Sequence, residues 1–350
     1  MFALVITDFG APKVIGGNFN VVATDIYKQV VGQQNLQTGA VAGMLMFVPA
    51  VRAFVADRWI RTRQVAQLSA RAVAYAPPPP LRDRGMFGLC LAIALAILGV
   101  IVIAAFGSLV EFWPYNLSLT LANYEFSRFD ADGWSAYWNS LHMAAWTALI
   151  GTALIFSGAY VLEKTRQPPL LRSAVQFLAL LPMAVPGMVL GLGYIFFFNH
   201  PDNPLGFIYG AMAILVVNSI AHFYTVSHLS ALSALKQLDA EFEAVSASLK
   251  VPFWRTFRRV TLPLCLPTVL DVSVYLFVNA MTTVSAVIFL YSTQTKLAAI
   301  AVVNMEDASM TAPAAAMAMM IFVTSAVLRG VYALATRRLQ TRTQAWRARG

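Results

Sequence analysis

Residues 86–110 read MFGLCLAIALAILGVIVIAAFGSLV, an apolar run without a single Asp, Glu, Lys, Arg or His. Such a run exceeds the about 20 residues that cross a ~30 Å hydrocarbon layer at about 1.5 Å per residue. Hydrocarbon offers the backbone no water, so a crossing segment must bond its own N–H and C=O groups as a helix. Comparable segments lie at 39–56, 139–161, 173–198, 208–232, 264–290 and 312–334. Only 12% of the chain is charged and 59% is hydrophobic, against about 25% charge in a soluble domain. An all-α, polytopic transmembrane bundle of about seven spans is therefore expected. Residues 1–9 are apolar but fill less than half a span. They read as the end of a helix whose start is missing, and no basic n-region or cleavage site marks a signal peptide.

Loop charge fixes an orientation. Segment 57–85 carries Arg58, Arg61, Arg63, Arg71, Arg82 and Arg84 against Asp57 and Asp83. Segment 111–138 carries Glu111, Glu125, Asp130 and Asp132 against Arg128. Net-basic and non-basic loops then alternate through 162–172, 199–207, 234–262 and 291–311 to a tail with Arg337, Arg338, Arg342, Arg347 and Arg349. Lys/Arg-rich loops stay in the cytoplasm, which puts 57–85, 162–172, 234–262 and the C-terminus there. The net charge of +9 thus belongs to membrane topology, and no nucleic acid is expected as a partner.

The stretch APPPPLRDRG (76–85) is a stiff polyproline connector. It divides the chain into residues 1–60 (the end of one helix plus one span), a Pro/Arg-rich cytoplasmic linker at 61–85, and a six-span unit at 86–350. Residues 1–64 and 276–344 run alike: apolar helix end, outside loop, one span, Arg cluster. Repeated bundles are common in transporters. The short first piece reads as the remnant of a first bundle.

Loop 234–263, ALKQLDAEFEAVSASLKVPFWRTFRRVTLP, is long for a connection between spans. Asp239 suits a helix start, with Glu241 and Glu243 at the positive end of the dipole. Lys250 suits the negative end, and Pro252 stops the helix. Between them Ala244 to Ser248 form a small, smooth surface. The loop fits two readings, a docking helix for another protein or an interfacial helix lying on lipid.

This loop resembles the EAA loop of binding-protein-dependent ABC transporter permeases. LTLANYEF (119–126), WNSL (138–141) and LPMAVPGMVLGLGY (181–194) resemble other landmarks of that family, in the expected order. The last of these carries the family's proline–glycine pattern at Pro182, Pro186, Gly187 and Gly191. Two positions depart from the pattern. The family's Glu falls on Ala244, with the acid here at Glu243, and the family's Gly falls on Lys250. ITDFGAPKVIGGNFNVVATDIYKQVVGQQN (6–35) most resembles the fused permeases of the 2-aminoethylphosphonate and ferric-iron type.

The resemblance implies a transport subunit of the inner membrane that is not itself an enzyme. Its implied partners are a cytoplasmic ATP-binding subunit, a periplasmic solute-binding protein, a second permease bundle and membrane lipid. The ATPase-coupling residues become Glu243, Ala244, Ser246, Ala247 and Lys250, and the implied solute is 2-aminoethylphosphonate, with ferric iron as the alternative. Intramembrane polar residues are pathway candidates, here Asn218, Asn279, Thr282 and Thr283, with Ser219, His222 and Ser285 beside them. Their alternative role is interhelical hydrogen bonding at about 0.6 kcal/mol each. Asp271 is expected to pair with Arg258 or Arg259. No P-loop, catalytic constellation or metal-ligand cluster is present, so no cofactor is expected. An ion-coupled transporter would want mid-membrane carboxylates, which these spans almost lack. A non-transporting remnant stays open.

Overall fold

The structure, a computed structural model, describes residues 9–17, 19–63, 80–165, 168–239 and 241–343. The apolar opening before residue 9, the prolines at 77–79, and Arg71, Arg166, Arg347 and Arg349 lie outside the described residues.

Two short helices and a long one come first: α1 (Gly10–Ile15), α2 (Val22–Tyr27, prolonged by a π-turn at Lys28–Gly32) and α3 (Leu36–Arg63). The apolar part of α3 is Leu36–Pro49; Arg52, Asp57 and Arg58 follow within the same helix. Helix α4 (Pro80–Ser108) leads into an antiparallel hairpin of β1 (Val110–Phe112) and β2 (Asn116–Leu119), with Val110 opposite Leu119. Then come α5 (Trp134–Lys164), α6 (Pro169–Leu180), α7 (Gly187–Phe198), α8 (Met212–His222), α9 (Tyr224–Lys236) and α10 (Glu241–Ser248). The chain closes with α11 (Phe253–Thr256), α12 (Leu266–Thr282), α13 (Ala298–Asp307) and α14 (Thr311–Thr343).

Among the described residues three helices are long and apolar enough to cross a membrane: Asp83–Ser108, Trp134–Lys164 and Thr311–Thr336. Three bent pairs bring the number to six if each is one span. The expected span 173–198 is one of these, folded through 110° between Ala184 and Gly187. Pro186 causes the break. It forces the residue before it out of helical geometry, and Val185 is extended at ψ 119°. Helices α8 and α9 bend by 55° at Phe223. Before α12 the chain turns by 77° at Cys265, between Pro263 and Pro267.

The expected span 264–290 is helical only to Thr282. Thr283 is extended, and the apolar stretch after it forms a buried, irregular turn containing Ala286, Val287, Ile288 and Leu290. Its backbone is satisfied locally, through Ile288 N–H to Val284 O (2.9 Å) and Leu290 N–H to Val287 O (2.9 Å). Irregular backbone at this depth requires protein around it rather than lipid, and this segment sits inside the main core.

Helix α5 is the central post. Tyr137, Ser140, Ala144, Ala148, Gly151, Ile155, Ala159 and Leu162 recur at helical spacing and are buried. Leu149, Ile150 and Leu154 on the other side are exposed, as a lipid-facing stripe is. Helix α4 differs: none of its most apolar window is buried.

The two similar chain segments share geometry as well as order. Helix α2 turns at Gln34 (φ 53°) into α3, and α13 turns at Ser309 (φ 61°) into α14. Lys13 of α1 joins the two halves by an ion pair to Asp307 at the end of α13 (2.7 Å).

Candidate functional site

The loop singled out by sequence folds as a helical hairpin. Asp239 Oδ1 accepts from Glu241 N–H (3.0 Å) at the start of α10. At its end, Val251 N–H reaches back to Ser246 O (2.9 Å) across Lys250 at φ 51°. That six-to-one bond around a left-handed residue is a Schellman stop, a position made for glycine. The lysine standing at the family's glycine position therefore carries backbone strain. Lys250→Gly should stabilise the hairpin by about 1 kcal/mol, and Lys250→Val should loosen it. Hydrogen exchange of the amides at 249–251 reads the difference; slower exchange in the valine variant than in the glycine variant would refute it.

The candidate coupling residues divide by direction. Glu243 turns inward, with Oε1 3.2 Å from Lys164 Nζ at the end of α5. The same ammonium donates to Leu238 O (3.3 Å) and is nearly buried, its side chain 8% exposed. Ser246 is hydrogen-bonded to Thr256 of α11, closing the hairpin. Phe257 packs its ring on Tyr160 (4.6 Å) and Phe156 (6.0 Å), joining the hairpin to α5 a second time. Ala244 and Lys250 are exposed, and the side chain of Ala247 lies outside the described residues. The outward surface is apolar: Phe242, Val245, Leu249 and Phe253 are each 45–70% exposed.

In the interior the proline–glycine segment has a packing role. A side chain at Gly187 would stand 2.7 Å from Ser285 Oγ and 3.1 Å from Ala286 N, and one at Gly191 would stand 3.0 Å from Ala286 O. Asn218 holds the same turn, donating from Nδ2 to Ala286 O (2.7 Å). Asn279 donates to Tyr275 O in its own helix (2.8 Å), and Thr283 is buried. Thr282 lines an apolar cavity of about 560 Å³ with Val278, Val284, Val302, Phe322 and Val14. Thus Asn218 and the two glycines meet at one turn, while Thr282 faces the cavity. Asp271 makes no ion pair with Arg258 or Arg259 among the described residues; it lies beside Tyr332 of α14, because α12 packs on α14 with that side.

At the opposite end lies a cluster that sequence reading missed. Lys296 Nζ sits 2.7 Å from both Asp130 oxygens and 3.3 Å from Asp132. Burial pulls its pKa down, but the hydrogen bonds and charges of Asp130 and Asp132 outweigh that and raise it. Asn139 of the WNSL stretch donates to Gln294 O and Lys296 O, and Ser140 accepts from Ala298 N–H (2.8 Å). Asn123 of the LANYEF stretch donates to Ser108 O and Val110 O (2.6 Å), covering the end of α4. Asp130 and Asp132 thus tie the loop between α4 and α5 to Lys296, while Asn139 and Ser140 tie the start of α5 to the same segment.

Straight and broken apolar helices around a core turn, with a helical hairpin carried between them, give the largely helical fold of an ABC transporter permease. Residues 151–341 match the family described as binding-protein-dependent transport system inner membrane component, and this chain belongs to that family. It is 32% identical over 318 residues to a putative ferric transport system permease protein of Haemophilus influenzae, covering 85% of this chain and 47% of that one. It is 30% identical to a ferric transport system permease protein of Actinobacillus pleuropneumoniae, covering 87% and 44%. The chain thus spans about half the length of the curated relatives it matches. A bacterial alginate ABC transporter chain, solved with a pentasaccharide-bound periplasmic protein, shares the fold at TM-score 0.61 and 15% identity, over 74% of this chain and 96% of that one.

Proposed function

We propose that this chain is the permease subunit of an ATP-driven solute importer, with 86–350 as its six-span unit. The observation that carries the reading is the hairpin of α10 and α11. Its inward side is bonded to α5 through Glu243 and Lys164, and its outward side offers Phe242, Val245 and Leu249. A cytoplasmic ATP-binding subunit docks on that outward side, and closure of its dimer pushes α10. The Lys164 ion pair and the Phe257 stack carry the push to α5, the post on which the core packs. Coupling of this kind needs only that each partner prefer one of two states. A periplasmic solute-binding protein delivers at the loops held by Lys296. A second permease bundle covers faces such as α4, which this chain leaves unburied. In this orientation the C-terminus is cytoplasmic.

For the cargo, the names of the relatives favour ferric iron, and 2-aminoethylphosphonate draws no support from them. The test is co-expression with candidate ATP-binding and solute-binding proteins, then reconstitution. The expected result is co-purification of the ATP-binding subunit and ATP-dependent uptake of chelated ferric iron, with no uptake of 2-aminoethylphosphonate. Failure of any ATP-binding subunit to co-purify would remove the importer reading. Phosphonate uptake would remove only the cargo.

A further inference from the structure

The basic face of the segment Phe253–Leu264, which continues α11 through a π-turn at Phe257–Thr261, has no role in docking as described above. Arg255, Arg258 and Arg259 follow one another at helical spacing and are all exposed. None of the three is ion-paired among the described residues; the contact recorded for Arg255 is with the ring of Trp254, 5.5 Å away. With Trp254 they line a cavity of about 440 Å³. The reverse side of the same segment is fixed by buried Thr256 and Thr261 and by the Phe257 stack, so the guanidinium groups cannot turn inward.

Direction decides what meets them. The segment Phe253–Leu264 runs at 77° to α12, which it feeds. A helix nearly perpendicular to a span lies along the membrane surface. Trp254 and Leu264 are 52% and 48% exposed on it, and tryptophan at such a boundary sits at headgroup level. Apolar rings beside unpaired guanidinium groups match a lipid carrying an anionic phosphate, which arginine binds in a bidentate fork.

We propose that Trp254, Arg255, Arg258 and Arg259 form a headgroup site for an anionic phospholipid of the inner leaflet. The leaflet rests on the topology given under the proposed function; the headgroup chemistry does not. Arg255 and Arg259 also line a groove shared with Asp239, Glu241 and Phe242 of the docking hairpin. Arg258 lines the four-residue cavity but not that groove and is therefore the discriminating residue.

The experiment titrates the purified full chain in neutral detergent with phosphatidylglycerol or phosphatidylcholine and counts retained lipid by native mass spectrometry. Phosphatidylglycerol should be retained preferentially. Arg258→Gln should weaken its retention about fivefold, as expected for one arginine at an anionic surface, while Arg258→Lys, which keeps the charge but not the fork, should lose less. Equal retention by wild type and Arg258→Gln would overturn the site. Displacement of the lipid by millimolar inorganic phosphate would overturn the lipid in favour of a free anion. Loss of a co-purifying ATP-binding subunit in Arg258→Gln, with lipid retention unchanged, would assign the face to a protein and overturn it too. Lipid retention needs neither nucleotide nor solute, so failure of the importer reading leaves the result readable.

Discussion

Gly187→Ala and Gly191→Ala, combined, should destabilise the protein by about 3 kcal/mol, while Gly193→Ala in the same helix should stabilise it by up to about 1 kcal/mol. The opposite signs follow from what each new methyl group meets. At Gly187 it lies 2.7 Å from Ser285 Oγ and 3.2 Å from a ring carbon of His222, closer than ordinary contact, with backbone Ala286 N at 3.1 Å. At Gly191 it meets a carbonyl oxygen, Ala286 O, at 3.0 Å, which no rotamer change relieves. Nothing lies within 4 Å at Gly193, so only the gain in helix propensity remains. In both clashing cases the neighbour is the turn after α12, which Asn218 also holds. The turn must move or α7 must. Thermal unfolding in detergent measures the stability difference. A double variant as stable as the Gly193→Ala control would show that the turn yields freely and has no fixed place.

The same turn shows where reading the sequence stops. VSAVIFLY (284–291) is as apolar as the helix before it, and hydropathy sums residues without regard to direction. The expectation of a span to residue 290 was therefore natural. The helix ends because the following backbone finds other partners, among them the Asn218 amide 68 positions earlier in the chain. The 110° fold between α6 and α7 was half legible: Pro182 and Pro186 announce a break, but not its angle. Local signals fared better. Asp239, the acidic first turn, Lys250 and Pro252 bound a helix that the structure forms at Glu241–Ser248, since capping acts over a few residues. The direction of Glu243 was not legible. Its partner Lys164 lies 79 positions away, and a loop's net charge does not reveal which of its charges are paired. Lys296 was counted toward the charge of one loop and Asp130 toward that of another. Only packing of α5 against the 291–297 turn brings them together.

That ion pair carries the other large expectation. Lys296→Met should cost about 3 kcal/mol, because it strands the Asp130 carboxylate in a site where it is 6% exposed. Asp130→Asn should cost less, since Asp132 remains 3.3 Å from the ammonium. Exchanging both partners, Lys296→Met with Asp130→Leu, should recover most of the loss, because two apolar groups of similar volume need no pairing. The pH dependence has a fixed sign. The pKa of Lys296 is raised above its ordinary value of 10.5 by its two aspartates. The folded state therefore holds this proton more tightly than the unfolded chain. Its contribution is complete at neutral pH and is lost only as pH climbs through the raised value, above the ordinary lysine range. Thermal unfolding of wild type, Lys296→Met, Asp130→Leu and the double variant between pH 7 and the alkaline limit forms a double-mutant cycle. A coupling energy near zero would mean that Lys296 and Asp130 are neighbours without being partners. A large one would make the pair the clasp that holds the loop between α4 and α5 onto the turn at 283–297, where the proposed binding protein delivers its solute.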